Sequence, residues 1–148
     1  MQRFVLTLYF FLVFYLVGEL VMENEVNYRT WQWIGADEFP LYHQELERLL
    51  QPFMMAPLTL LVVLSWIMVW QRNSKNIRIL FLTNALLFSA FTIISLLVMV
   101  PVHNQLSQEY NAELIQYLIK YNSLFRSPIV LAVSIINLYL LVIFLFHN

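Results

Sequence analysis

The sequence contains no cysteine, and with cysteine go disulfides, thiolate metal sites, thiol redox chemistry and cysteine nucleophiles. Two glycines in 148 residues exclude a dinucleotide loop, a P-loop and a Gly-rich linker. Charge is scarce: Asp, Glu, Lys and Arg make up 11% of the chain, against roughly 25% in a soluble domain. Eight Lys or Arg oppose nine Asp or Glu, a net charge of −1, so there is no basic surface for nucleic acid. Gly-x-Ser-x-Gly, His-Glu-x-x-His, EF-hand and Walker patterns are absent, which leaves hydrolase and nucleotide-driven chemistry without support. What fills the chain instead is 61% hydrophobic and 16% aromatic residues. That composition excludes both a disordered segment and an ordinary soluble globule.

Four stretches are free of Lys, Arg and Asp: 4–22, 53–70, 79–102 and 128–146. At 1.5 Å per residue such lengths cover roughly 27–36 Å, matching a hydrocarbon core of about 30 Å. Each is apolar all round and lacks the polar–apolar alternation of a barrel strand, so each reads as a membrane-spanning helix. The first exceeds a signal-peptide core and ends in Gly18-Glu19-Leu20-Val21-Met22-Glu23, without a small-x-small cleavage site. It is therefore expected to remain as a helix. The fold class expected is all-α: one membrane domain, residues 1–148, as a four-transmembrane-helix bundle with two short amphipathic helices outside.

Cation placement sets the expected orientation. One side carries Arg3, Arg72, Lys75 and Arg78 with no acid, three of these cations packed into residues 71–78. The other side holds Arg29, Arg48, Lys120 and Arg126 spread over two long connections. The first side is expected to be cytoplasmic, with both termini on it.

The long connections, 23–52 and 103–127, carry most of the polar side chains. Tyr28, Trp31 and Trp33 suit a membrane–water interface. Tyr42, Leu46, Leu49, Leu50 and Phe53 recur at helical spacing, predicting an amphipathic helix that runs into the second span and bends near Pro52 or Pro57. Leu106, Tyr110, Leu114, Tyr117, Leu118, Tyr121 and Leu124 form a second such face. Pro101 is expected to end or kink the third span, and Pro128 to begin the fourth.

His43 and His103 occupy matching places at the outer margins of their spans and are expected to meet across the bundle, near Tyr42, Asn104 and Arg126. A pair of imidazoles suits metal, cofactor or proton handling; the plainer reading is two interfacial histidines that only hydrogen-bond. Two imidazoles leave a tetrahedral site two ligands short, so no tightly bound transition metal is expected, and no cofactor is indicated. Glu19 is an ionisable group within a span and is expected to face the bundle, with Glu23 one turn further on. Asn84 and Asn137 read as interhelical glue. Met22, Met54, Met55 and Met99 offer thioethers near the histidines, though plastic packing explains them as well. His147 is given no role.

Glu38-Phe39-Pro40-Leu41-Tyr42-His43 resembles an F-P-x-Y-H element, and Val100-Pro101-Val102-His103-Asn104-Gln105-Leu106 a V-P-x-H-x-x-L element. Both belong to bacterial four-helix membrane proteins distantly related to the anthrone-oxygenase-like family. The spacing Gly18–Tyr28–Gly35–Phe39 agrees as well. Against that pattern Asn27 and Leu46 stand where histidines occur, and an apolar residue near Val62 where a carboxylate occurs. The family's Asn-Trp-x-Arg is here Asn122-Ser123-Leu124-Phe125-Arg126. The resemblance implies a multi-pass protein of a bacterial inner membrane that keeps part of a polar cluster. The reading adopted is a binding or accessory component with an outer-leaflet cavity that serves His43, His103, Tyr42, Glu19, Asn104 and Arg126. The alternative is a membrane-embedded oxidoreductase or oxygenase acting on a hydrophobic substrate. Expected partners are the lipid bilayer with a hydrophobic small molecule or larger membrane subunits. A transporter fits less well, since no internal repeat or broken-helix pair occurs.

Overall fold

The computed structural model describes residues 2–146, and His147 lies outside them. Four long helices account for nearly all of the described chain: α1 (Arg3–Trp33), α2 (Phe39–Gln71), α3 (Lys75–Leu106) and α4 (Ala112–Phe146). All four are long and apolar enough to cross a membrane, and the described residues contain no strand. Each helix packs on its neighbours in sequence, and α1 closes the ring against α4, giving an up-down-up-down bundle of a multi-pass membrane protein. Side chains such as Phe11, Leu97, Leu131 and Leu138 are exposed on its outside. In water such a belt would be a liability; in lipid it is the matching surface. Trp33 and Trp70, almost bare at opposite ends of the bundle, fit the two interfaces.

The amphipathic segments stand at the end of the bundle opposite the 71–78 turn, called the outer end below. They are continuations of the spans, joined to them without a break or through single π-helical turns at Glu23–Asn27, Ser95–Met99 and Asn122–Arg126. The prolines explain where irregularity is needed. A proline lacks an N–H and leaves the carbonyl four residues earlier without its helical donor. Pro101 and Pro128 each stand two residues past the end of the second and third π turns, which open the backbone ahead of them. Pro52 and Pro57 lie inside the unbroken α2. The carbonyl that Pro57 frees, Phe53 O, accepts a hydrogen bond from the Tyr15 hydroxyl of α1 at 3.2 Å. A neighbouring helix thus supplies the missing donor.

Short polar turns close the outer loops. Gly35 O accepts from the Phe39 N–H at 2.9 Å before Pro40 enters the first turn of α2, where a missing N–H costs nothing. Asn111 caps α4, its Oδ1 accepting from the Glu113 and Leu114 N–H groups at 2.9 and 3.1 Å.

Two apolar cores stack along the bundle axis. The larger lies between the spans, around Tyr9, Leu61, Met68, Phe81 and Leu140. Within it Asn84 Nδ2 of α3 donates to Asn137 Oδ1 of α4 at 3.3 Å, the interhelical role expected of this pair. Thr59, Ser65, Thr92, Ser95 and Ser134 instead donate to carbonyls of their own helices one turn back. The smaller core caps the outer end, with Tyr28, Trp31, Phe39, Leu106, Ile115 and Leu118 at its centre.

Candidate functional site

The α2–α3 hairpin fixes the height of the two histidines. His43 precedes the end of α2 at Gln71 by 28 residues, and His103 follows the start of α3 at Lys75 by 28. At 1.5 Å per residue both lie about 42 Å from the 71–78 turn, so they are level, toward the opposite end of the bundle. Their rings stack with centroids 5.3 Å apart, and His43 Nε2 approaches His103 Nδ1 to 3.1 Å. Both are buried, His43 completely.

The outer core encloses this pair. Trp31 sets its edge against both rings, at 4.9 Å from His43 and 5.7 Å from His103, and Phe39 stacks on His43 at 5.5 Å. These aromatic walls exclude water from one side. The remaining ring nitrogens are held by fixed partners. His43 Nδ1 lies 2.8 Å from the Ser107 hydroxyl. His103 Nε2 lies 3.1 Å from the Tyr28 hydroxyl, which donates its own proton to Glu23 Oε1 at 2.8 Å. Since the tyrosine proton is committed to a carboxylate, its oxygen accepts from His103, and the proton of a neutral His103 sits on Nε2.

Glu47, one helical turn after His43, places Oε1 3.1 Å from His103 Nδ1. His43 Nε2, His103 Nδ1 and a Glu47 carboxylate oxygen thus gather within 4.8 Å of one another. Past Tyr28 the polar chain continues: Glu23 Oε2 meets buried Arg126 at 3.7 Å, and Arg126 donates to Asn122 Oδ1 at 2.9 Å while covering the Phe91 ring at 4.6 Å.

A cavity of about 60 Å³ adjoins the cluster. Glu23, Glu47, His103 and Arg126 line its polar end; Leu16, Leu20, Leu58 and Phe91 line the apolar rest. Its wall residues Gln51 and Asn104 are exposed and Met55 and Val100 half-buried, so it opens sideways between α2 and α3.

The sequence-derived residues divide accordingly. His43 and His103 meet; Arg126 joins them through Glu23 and Tyr28; Asn104 stands at the cavity mouth. Tyr42 is 41% exposed and stands about 100° around the helix from its neighbour His43, outside the cluster. Glu19 is half-buried, its Oε2 faces no hydrogen-bond partner, and it lines no part of this cavity, so the outer polar groups expected beside it pair with Glu23 instead. Sequence reasoning missed Glu47 as a neighbour of the histidines. The signal was there: His43 and Glu47 are separated by four residues on one helix, hence on one face. Tyr28 and Ser107 carried no comparable signal, because their contacts cross 75 and 64 residues of chain. Comparison with protein-family models, curated proteins and solved structures gives no match.

Proposed function

We propose that the protein is a binding component of a membrane, taking the polar head of a slender amphipathic molecule into the cavity between its helices at the outer leaflet. The observation that carries this reading is the state of the cavity's polar end. Glu23, Glu47, His103 and Arg126 gather at one end of an otherwise apolar cavity, with Glu23 and Arg126 paired to each other at 3.7 Å. Carboxylate, imidazole and guanidinium groups together offer both donors and acceptors to the hydroxyl or carbonyl of a polar head. The space suits a head rather than a whole lipid: about 60 Å³ accommodates roughly four groups of water size. The apolar remainder and the lateral opening between α2 and α3 suit a tail that leaves toward the lipid.

The setting proposed is a bacterial inner membrane with both termini cytoplasmic, supported by the cations of residues 71–78. Kinship with the anthrone-oxygenase-like proteins belongs to the same proposal, supported by the fact that each motif contributes one of the two touching histidines. A second reading, oxidoreductase or oxygenase chemistry on a hydrophobic substrate, draws support from His103, whose ring lines that cavity.

Solvent extraction and mass spectrometry of detergent-purified protein test the binding reading. One amphipathic molecule per chain is expected in the native protein. Ser95→Leu, which fills the cavity wall, reduces it at least tenfold while leaving helix content unchanged. Equal recovery from both proteins overturns the proposal.

A further inference from the structure

We infer that His43, Glu47 and His103 form a binding site for one divalent first-row transition-metal ion. This goes beyond the small-molecule reading and stands apart from it.

In a neutral His103 whose proton is given to Tyr28, Nδ1 is a lone pair that faces the Glu47 oxygen, another acceptor, at 3.1 Å. A proton on His43 Nε2 reaches only one of the two. If Ser107 instead accepts from His43 Nδ1, all three atoms face inward as lone pairs. Either a second proton on His103, which pairs it with Glu47, or a metal cation completes the cluster, and each of the three atoms is a metal ligand.

Geometry agrees. Two ligand–ligand edges measure 3.1 Å, and all three atoms lie within 4.8 Å of one another. The 3.1 Å edges place ligands about 1.9 Å from a tetrahedral centre or about 2.2 Å from an octahedral one, bracketing the roughly 2.0–2.2 Å of metal bonds to imidazole and carboxylate. Two histidines and one carboxylate are a ligand set that suits zinc or iron(II) and leaves further positions open. Here the open side adjoins the cavity that Glu47 and His103 line.

The surroundings have the form of a metal site's outer layer. Each ligand imidazole has its second nitrogen fixed by a hydroxyl, Ser107 for His43 and Tyr28 for His103, and Tyr28 is itself anchored on a carboxylate. Such partners orient the ring and set its tautomer. Trp31 and Phe39 supply a dry wall.

Zinc binding to the detergent-purified full chain, measured by competition with a chromophoric chelator after metal removal, tests the inference. The expected result is one zinc per chain. Glu47→Gln, which keeps shape and helix, weakens it at least tenfold, and Tyr28→Phe by 10–100-fold. Tyr42→Phe, beside His43 but outside the cluster, leaves it unchanged. Ser95→Leu keeps the zinc even where the amphipathic molecule is lost, so the two proposals fail separately. A native chain holding less than a tenth of an ion, or Glu47→Gln binding within twofold of it, means that the cluster holds a proton instead and overturns the inference.

Discussion

Removing Arg126 isolates the energetics of the outer polar chain. Its guanidinium is 3% exposed and has three companions: Glu23 at 3.7 Å, Asn122 at 2.9 Å and the face of Phe91 at 4.6 Å. Arg126→Met keeps much of the side-chain volume but strands the Glu23 carboxylate, whose remaining hydrogen bond is the Tyr28 hydroxyl. Breaking a buried ion pair from one side costs about 3–5 kcal/mol, because the surviving charge loses its compensation. Replacing both members is far milder, often close to neutral. The double variant Arg126→Met/Glu23→Gln still loses the Asn122 bond and the cation–π contact, together worth roughly 2–4 kcal/mol before the gain from burying Met is counted. It is therefore expected to recover at least about half of the single variant's loss. Equilibrium unfolding of detergent-solubilised protein in increasing SDS, followed by tryptophan fluorescence, measures all the corners of the cycle. An Arg126→Met loss below about 1 kcal/mol refutes the claim that this charge is buried and paired. So does a double variant whose loss equals the sum of the two singles.

Tyr15→Phe is expected to cost about 0.5–1.5 kcal/mol, because Phe53 O loses the donor that stands in for the missing Pro57 N–H. In a Pro57→Ala background the residue 57 N–H takes over and the cost falls below about 0.5 kcal/mol; an unchanged cost contradicts the proline account. For topology, the chain has no cysteine of its own, so Ser74→Cys and Gln108→Cys give clean labels. An impermeant thiol reagent applied to intact cells is expected to reach position 108 and not 74, and the reverse pattern inverts the proposed orientation.

The spans were legible because a hydrocarbon layer imposes one simple requirement, length without charge, which residues 53–70 and 128–146 meet on sight. Continuity was less legible. A proline inside a periodic pattern reads as a break, yet Pro57 is tolerated because Tyr15, 42 residues earlier, reaches the freed carbonyl's neighbourhood. The histidine pair could be placed because both residues sit at corresponding heights on an antiparallel hairpin. The third member of the cluster was obscured by its surroundings: Glu47 lies in the charged run Glu45–Arg48, which reads as a solvated face, and Arg48 indeed pairs outward with Glu45. Glu19 shows the converse. An acid within a span draws attention from sequence alone, but the fold gives the arginine to Glu23, four residues nearer the outer end.

X-ray absorption at the zinc edge of the metal-loaded protein reaches the central claim most directly, that the fold builds a two-histidine, one-carboxylate cluster at the outer end of the bundle. The account predicts a first shell of nitrogen and oxygen alone at about 2.0–2.2 Å, with the outer-shell scattering of two imidazoles, reduced to no more than one in His103→Ala. A shell that contains sulfur at about 2.3 Å or longer, as the nearby methionines would give, or one without imidazole scattering, contradicts it.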